Sequence, residues 1–344
     1  MKALVISHRH ALLPFAWRLK QEGWDVQVII DRDSWEKAWQ GRFEPAIKKG
    51  SKRNRETMAT LRKVAEDEEA FVLSDSPAWL DMFAGYPRLY GCLARPEGAE
   101  PLPPVLVGGW FDGESWSGRH LLIEDRGLWP GDLGPAVVGG LTLVAPDDWP
   151  MAFEDGLQLV SDELKAREYR GLVKVGVLPK WGRDGQPGEP EVCGYQAGWN
   201  PLQVHAFLAE AGDGETPNFT QILDGEEPQF LHRFTVALPV SIPPYPYRAK
   251  TGTPSADLSI SKGAIRCGRF YWHDMMVEDG VMKTAGLDGL VGVARASAHS
   301  LKLARDMATQ YARLLALQEL QVRFDVGHAV DGALAMLEAR EMRV

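Results

Sequence analysis

The sequence predicts an α/β protein that opens with a Rossmann-like unit and closes with a β-rich domain carrying one long helix. Three observations support this. The first thirty residues, MKALVISHRHALLPFAWRLKQEGWDVQVII, run strand, helix, strand, the opening of a β-α-β unit. Apolar runs bounded by glycine and proline recur through the middle of the chain as VLVGGWF, RHLLIED and GLVKVGVL, and these read as strands. Near the end, Leu301, Leu303, Ala304, Met307, Tyr311, Leu314 and Leu315 recur at helical spacing and predict an amphipathic helix from Ser300 to Gln318 with that stripe in the core.

The bulk properties bound the function. A chain of 344 residues suggests two or three domains. Its 45% hydrophobic content and 12 tryptophans supply a sizeable core, and 25% charged residues is an ordinary value. A net charge of -9 argues against a general nucleic-acid binder. Cys92, Cys193 and Cys267 are widely spaced, form no C-x-x-C pair and give no zinc framework, which fits a reducing compartment. The first apolar segment is interrupted by His8, Arg9 and His10, so it reads as a strand rather than a signal peptide. No apolar run approaches membrane-spanning length. A cytoplasmic protein without a nucleic-acid or membrane partner is expected.

The elements follow in order. The first helix begins near Pro14 and stops at Gly23, and the second strand ends at Asp31. The turn before that helix, Ser7-His8-Arg9-His10-Ala11-Leu12, is where such folds hold a phosphate, yet it has no glycine. His8 and His10 could share a face, but no carboxylate or cysteine lies near enough in sequence to complete a metal set. Arg9 beside a helix N-terminus can still hold an anion. A charged, helical stretch from Ser34 to Glu69 reads either as a basic patch for a phosphate-bearing partner or as a solvated helix face with an acidic turn. The strand AFVLS follows, and Arg95 to Pro104 is a proline- and glycine-rich linker.

Beyond the linker, two strands lead to Gly131–Gly140, then to a helix over Ser161–Tyr169 and the strand GLVKVGVL. WGRDGQPGEP reads as a hairpin loop, Leu202–Ala211 as a helix, and the stretch to Leu231 as polar loop. FTVALPVSIPPYPY reads as a strand ending in a polyproline-like segment, and strands are expected around IRCGRFYWHDMM and LVGVARA. The boundaries expected are 1–95, 96–231 and 232–344.

No G-x-S-x-G, P-loop, H-E-x-x-H or G-x-G-x-x-G occurs. Glu124-Asp125 reads as an acid–base or metal pair, or as a polar turn at a strand end. His273-Asp274 reads as a pocket edge beside Tyr271 and Trp272, or as the wet face of a strand. Arg323 and Asp325 read as an ion pair between the last helix and the sheet, or as substrate contacts. His205 and His232 are isolated, and a structural role is expected for each.

Collinear motifs carry a resemblance. Phe270-Tyr271-Trp272-His273, Asp279-Gly280, Thr284-Ala285-Gly286, Gly292-Val293, the long helix and Arg323-Phe324-Asp325-Val326-Gly327 occur in that order. Together they resemble the C-terminal domain of phosphoribosylglycinamide synthetase (phosphoribosylamine–glycine ligase), of the ATP-grasp superfamily. Ile242-Pro243-Pro244-Tyr245-Pro246 resembles the lead into that domain. Trp110-Phe111-Asp112-Gly113-Glu114 and Gly131-Asp132-Leu133-Gly134-Pro135 resemble the family's "fleGeE" and "GDtGPntGG" elements, and Tyr169-Arg170-Gly171 its "Y-x-G". Arg9-His10-Ala11-Leu12 with Ala16-Trp17 resembles "GGREHALAW". Each motif is weak alone, and their shared order is what makes the resemblance specific.

The resemblance implies a Rossmann-like N-terminal domain, a truncated ATP-grasp core and the β-rich C-terminal domain. It implies Asp132, Arg323 and Asp325 as catalytic residues, and Glu114 and Glu124 at the nucleotide. Ser7, Arg9, His10, Gly134, Pro135 and Asn200 would line the substrate. ATP and Mg2+ would be the cofactors of an active enzyme, with a glycine-like carboxylate and a phosphoribosylamine-like amine as substrates. There are departures. Only the ten-residue linker separates the N-terminal unit from the Trp110 strand, where the family carries its lid. The family's magnesium strand aligns with Cys193 to Pro201, placing Cys193, Tyr195 and Ala197 where a glutamate, an asparagine and an arginine belong. A hard divalent ion prefers oxygen ligands, and Glu191, two residues earlier, is the candidate substitute on the same strand face. The polar pair of "GPntGG" is replaced by apolar residues in Gly134–Gly140. Two functions remain in view. One is a divergent carboxylate–amine ligase with activity kept, reduced or lost. The other is a non-catalytic descendant, phage-encoded for example, that uses no cofactor and binds a ligand or a protein partner.

Overall fold

The protein was analysed as a computed structural model that describes residues 1–7, 12–30, 39, 42, 47–49, 59, 61, 63–64, 67, 69–76, 79, 83, 86, 88–93, 102–145, 154–178, 191–200, 202–204, 206–207, 222–223, 226–247 and 255–341. The N-terminal unit contains β1 (Lys2–Ser7), α1 (Leu13–Gln21), β2 (Asp25–Ile30), β3 (Ile47–Lys49), β4 (Phe71–Ser74) and β5 (Leu89–Tyr90). Its strands pair in parallel in the order β3-β2-β1-β4-β5. That order reverses between β1 and β4, the switch point at which open α/β sheets bind ligands. Pro14 starts α1, where a missing N–H costs nothing, and Gly23 ends the turn after it at φ 87°. The helix buries Leu13, Phe15, Ala16 and Leu19. Ile47–Lys49 lies inside the stretch expected to be helical, but it adds an edge strand to β2. The rest of the basic patch falls mostly outside the described residues.

Residues 91–104 join β5 to β6 (Val105–Phe111), too few for a folded subdomain. β7 (Trp116–Trp129) and β8 (Leu133–Val144) make a long hairpin. A π-turn over Glu154–Gln158 leads into α2 (Leu159–Ala166), followed by β9 (Gly171–Leu178), β10 (Glu191–Ala197) and β11 (Phe234–Ser241). β12 (Ala256–Ser259), α3 (Lys262–Cys267), β13 (Phe270–Trp272), β14 (Met276–Glu278), β15 (Val281–Ala285), β16 (Leu290–Ala298), α4 (Leu301–Arg313), β17 (Gln321–Val322) and α5 (Val330–Glu341) complete the chain.

A nine-stranded antiparallel sheet follows the order β10-β9-β6-β7-β8-β11-β16-β13, with β17 beside β11. It contains strands from both sides of position 231, because β8 pairs directly with β11 from Phe234 opposite Val144. The core and the C-terminal part therefore share one sheet, and β12-β15-β14 form a small separate one.

Ser300 caps α4 by accepting the Leu303 N–H. The helix stops at Arg313, short of Gln318, and buries Ala304, Ala308 and Ala312. Leu303 and Leu314, expected in the core, are exposed. The small alanine face lets the helix lie close on β11 and β16, so the larger residues turn outward. Of the stretch Ile265–Met276, around which strand was expected, Ile265–Cys267 instead ends a short helix, Lys262–Cys267, capped by Ser261 and followed by Gly268 in the left-handed region, and β13 begins at Phe270. A second C-terminal helix, α5, follows the one expected. The two large sheets share a core. Phe15 lies 5.3 Å from Trp199 and Tyr90 5.2 Å from Trp110 between ring centroids, and the Trp199 indole donates to the Ser74 carbonyl at 3.1 Å.

Candidate functional site

The β7–β8 hairpin positions a polar cluster around Arg323. Successive residues of a strand point to opposite faces, so Glu124 and Asp125 separate. They do not end a strand: β7 continues to Trp129. Glu124 accepts from the buried Lys174 amine at 2.5 Å and lies 3.4 Å from Arg126. Asp125 points the other way, towards the turn that follows β17.

Arg323, 1% exposed, sits at the centre of that turn. Its Nε donates to Asp325 at 2.8 Å, its Nη2 to Asp125 at 3.3 Å, and its Nη1 to the Gly127 carbonyl at 3.2 Å and to Asp132. The guanidinium fork suits this work because it presents five donors in one plane. The backbone completes the cluster. Gly131 N–H donates to Asp325 at 2.7 Å, Gly127 N–H to Asp132 at 3.1 Å, and Gly327 N–H to Asp125 at 2.7 Å. His328 Nδ1 lies 3.1 Å from Asp125 Oδ1. Gly131, at φ 73°, lets the hairpin tip turn. Among the described residues, Asp125, Asp132 and His328 bring carboxylate oxygens and a ring nitrogen within 4.8 Å of one another.

One guanidinium thus faces three carboxylates. The Arg323 hydrogen bond holds Asp132 below the usual carboxylate range, against the opposing effect of burial. Burial also pushes Asp325 up, but the Gly131 amide and Arg323 outweigh it and leave Asp325 low. For Asp125 burial dominates, and its carboxyl is raised despite the Gly327 amide and Arg323.

The structure therefore brings together Asp132, Arg323 and Asp325, with Gly134 and Pro135 on the adjoining strand. Gly134, at φ 84°, lies beneath the Trp129 ring, which a Cβ would meet at 2.6 Å. The remaining candidates lie elsewhere. Glu114 is on the exposed β6–β7 turn, 3.8 Å from Lys165. Ser7, at the end of β1, donates to Asp75 at 2.9 Å across the N-terminal switch point. Arg9 and His10 fall outside the described residues. Asn200 accepts the Gln203 N–H at 3.1 Å, the geometry of a helix cap.

The positions that the resemblance gives to magnesium do not fit that ion. Cys193 is exposed and engages the Glu191 carbonyl at 3.6 Å. The Tyr195 phenol is pushed up to about 12 by burial and by its hydrogen bond to Glu163, so it stays neutral. Ala197 is a buried methyl. A register shift between Val192 and Gly194 breaks the alternation that would have set Glu191 on the face of Cys193. Glu191 begins the edge strand exposed, on the far side of that shift from Gly194.

Of the cluster, the sequence offers Asp125 only within the Glu124-Asp125 pair, as an acid–base or metal pair or a polar turn, and the length of β7 buries it apart from Glu124. His328 directly follows the Arg-x-Asp-x-Gly motif, and that adjacency was its one sequence signal.

No family profile matches the sequence, and no curated protein matches it. Solved structures do resemble it in fold. A phosphoribosylamine–glycine ligase from Thermotoga maritima superposes with a TM-score of 0.63 at 12% identity, covering 94% of this chain and 100% of its own. A biotin carboxylase from Campylobacter jejuni, in a β-γ-ATP complex, superposes with a TM-score of 0.54 at 9% identity, covering 98% of this chain and 95% of its own. At such identities the likeness is one of fold, and the chain has the fold of the ATP-grasp ligases.

Proposed function

We propose that this protein is a divergent relative of phosphoribosylamine–glycine ligase that retains the amine-binding side of a carboxylate–amine ligase site and has lost most magnesium-dependent ligation. One observation carries the reading. The Gly-Asp-Leu-Gly-Pro hairpin and the Arg-x-Asp-x-Gly turn, two separate motifs of the resemblance, meet through Arg323 and its bonds to Asp132 and Asp325. Motifs matched by chance have no reason to close on one guanidinium.

ATP-grasp ligation makes an acyl phosphate from a carboxylate and ATP, and an amine then displaces the phosphate. The protein's part is mostly placement and charge neutralisation. Bound magnesium would supply charge neutralisation at the phosphates, but Cys193, Tyr195 and Ala197 offer no carboxylate to hold it. The residues that remain polar lie at the hairpin, where three carboxylates favour a cationic amine.

ADP release should be measured with Mg-ATP, glycine and a primary amine. Loss of a preorganised charge clamp costs about 10² to 10³ in turnover, and a decrease of that size or larger relative to an active ligase is expected. Magnesium-dependent ADP release at the rate of an active ligase would overturn the proposal.

A further inference from the structure

His232, which the sequence marks as isolated, has a partner in the fold. Its ring lies against that of His299, with centroids 5.1 Å apart and planes tilted by 49°. Stacked rings lie near parallel and edge-on rings near perpendicular, so this pair takes neither arrangement that aromatic contact prefers. Both histidines flank the same end of one strand pair, where Phe234 of β11 stands opposite Ala298 of β16.

Each sits beside a fixed point of the backbone. The Ala145 N–H donates to the Arg233 carbonyl at 2.8 Å, tying the residue after His232 to the end of β8. Ser300, the residue after His299, caps α4 by accepting the Leu303 N–H at 3.3 Å. One row further in, the Thr235 and Ser297 hydroxyls meet at 2.9 Å across the same two strands. The two rings are therefore presented by rigid elements, which keeps the ordering cost of binding low. His299 is exposed and His232 half-buried, so an ion reaches the pair from solvent.

The spacing matches two imidazoles on one metal ion. A ring nitrogen stands about 1.1–1.2 Å from its centroid, and a Zn–N bond is about 2.0–2.1 Å. Two rings on one ion then have centroids roughly 4.5 Å apart at a right angle and roughly 5.2 Å apart at the tetrahedral angle. The observed 5.1 Å falls inside that range. Each centroid lies on its Cβ–Cγ axis. A turn about that bond, for which histidine has a broad preference, brings Nδ1 or Nε2 to the ion and leaves the spacing unchanged.

We propose that His232 and His299 form a binding site for a divalent transition-metal ion of the zinc type, with water completing its shell. Imidazole nitrogen suits zinc, copper and nickel, whereas magnesium keeps to oxygen ligands. The site shares no residue with the Arg323 cluster, and the proposal goes beyond the ligase reading without depending on it.

The test follows the imidazole signals of His232, His299 and His328 by NMR as Zn2+ is added to the full chain, and repeats the titration with Mg2+ at matched ionic strength. Zn2+ is expected to shift His232 and His299 together along one saturation curve, and Mg2+ to shift neither. His232→Gln and His299→Gln each remove one of two ligands. Each should weaken zinc binding by about tenfold or more, because even the partners behind a metal ligand are worth that much. Thermal unfolding without metal checks that both variants fold like the parent, and the parent titration decides alone where one does not. His328→Gln, in the other cluster, should leave the response of His232 and His299 unchanged. Separate saturation curves for the two rings would overturn the proposal, as would an equal response to Mg2+. So would a glutamine variant at 232 or 299 that binds zinc like the parent, a response lost in His328→Gln, or excess Zn2+ that moves neither ring.

Discussion

Arg323 donates from Nη1 directly to the Asp132 carboxylate, joining residues 191 positions apart in the chain. The bond closes the C-terminal turn onto the tip of a hairpin whose own outer residues, Trp129 and Leu133, are exposed. The tip has little apolar packing of its own, so the guanidinium and the amides of Gly127, Gly131 and Gly327 set its position.

Arg323→Ala should therefore be among the most damaging single substitutions. It strands the buried Asp125 without its cation, and breaking a buried pair from one side costs about 3–5 kcal/mol. Arg323→Lys should recover only part of this, because an ammonium cannot span four acceptors spread around a planar fork. Urea unfolding of both variants measures the order. An alanine variant within 1 kcal/mol of the parent, a threshold set by the ordinary effect of a point mutation, would show that the cluster does not hold the turn.

Stability should also fall with pH through a residue far from this cluster. His120 is fully buried on β7, with Nδ1 2.6 Å from the Gly118 carbonyl and Nε2 3.2 Å from Gln203 Nε2. Burial pushes its imidazole down to about 4. The folded state keeps it neutral, whereas the unfolded chain binds a proton near pH 6.5. The stability from neutral His120 is thus complete above that value, declines as pH falls through it, and is gone below about 4, a total on the order of 3 kcal/mol. Unfolding of the parent and of His120→Gln at pH 7.5 and 4.5 tests this. An equal pH dependence in the two would refute the assignment.

Much of this fold is legible in the sequence because its signals are local. Pro14 and Gly23 bracket α1, GLVKVGVL is strand β9 over its whole length, and Ser300 starts α4. Pairing across the chain is what local signals lack. Nothing near Phe234 announces that β11 will bond to β8 and extend the core sheet. Nothing in Val192–Gly194 announces the bulge that displaces Glu191. The core face of α4 differs from the leucine-rich stripe for a related reason: close packing on β11 and β16 selects Ala304, Ala308 and Ala312 and leaves Leu303 exposed. Motifs mark Arg323, Asp325 and Asp132, whereas only long-range contact shows that Asp125 and His328 join them.

Gly139→Ala should disturb the hairpin without touching a charge. A Cβ there would overlap the Asp125 carbonyl and approach the Gly127 carbonyl at 2.7 Å. Both atoms are backbone of the paired strand, so neither can turn away as a side chain would. Overpacking of this kind costs about 1–3 kcal/mol. Because the displaced strand carries Asp125, the variant should also alter the His328 imidazole signals. A variant with unchanged stability and an unchanged His328 spectrum would contradict the close approach of β7 and β8.

Placing family-like ligands at the positions that the resemblance gives to magnesium should not create magnesium binding. Cys193→Glu returns a carboxylate in name, but the residue sits at the register shift between Val192 and Gly194, on a strand at the edge of the sheet. A bulge redirects the side chain it carries, and a hard ion needs several oxygens converging at about 2.0–2.1 Å. The neighbouring Tyr195 phenol, neutral and bonded to Glu163, supplies neither a charge nor a free ligand oxygen. Calorimetric titration of ATP into the parent and the Cys193→Glu variant, each with magnesium and with a chelator, should give nucleotide affinities within twofold of each other in all four cases. The double variant Cys193→Glu/Tyr195→Asn should behave likewise, since neither change removes the bulge. An affinity for Mg-ATP that rises tenfold or more in either variant would mean that β10 aims its side chains at a phosphate site, and side-chain identity rather than the backbone would then be what limits magnesium binding there.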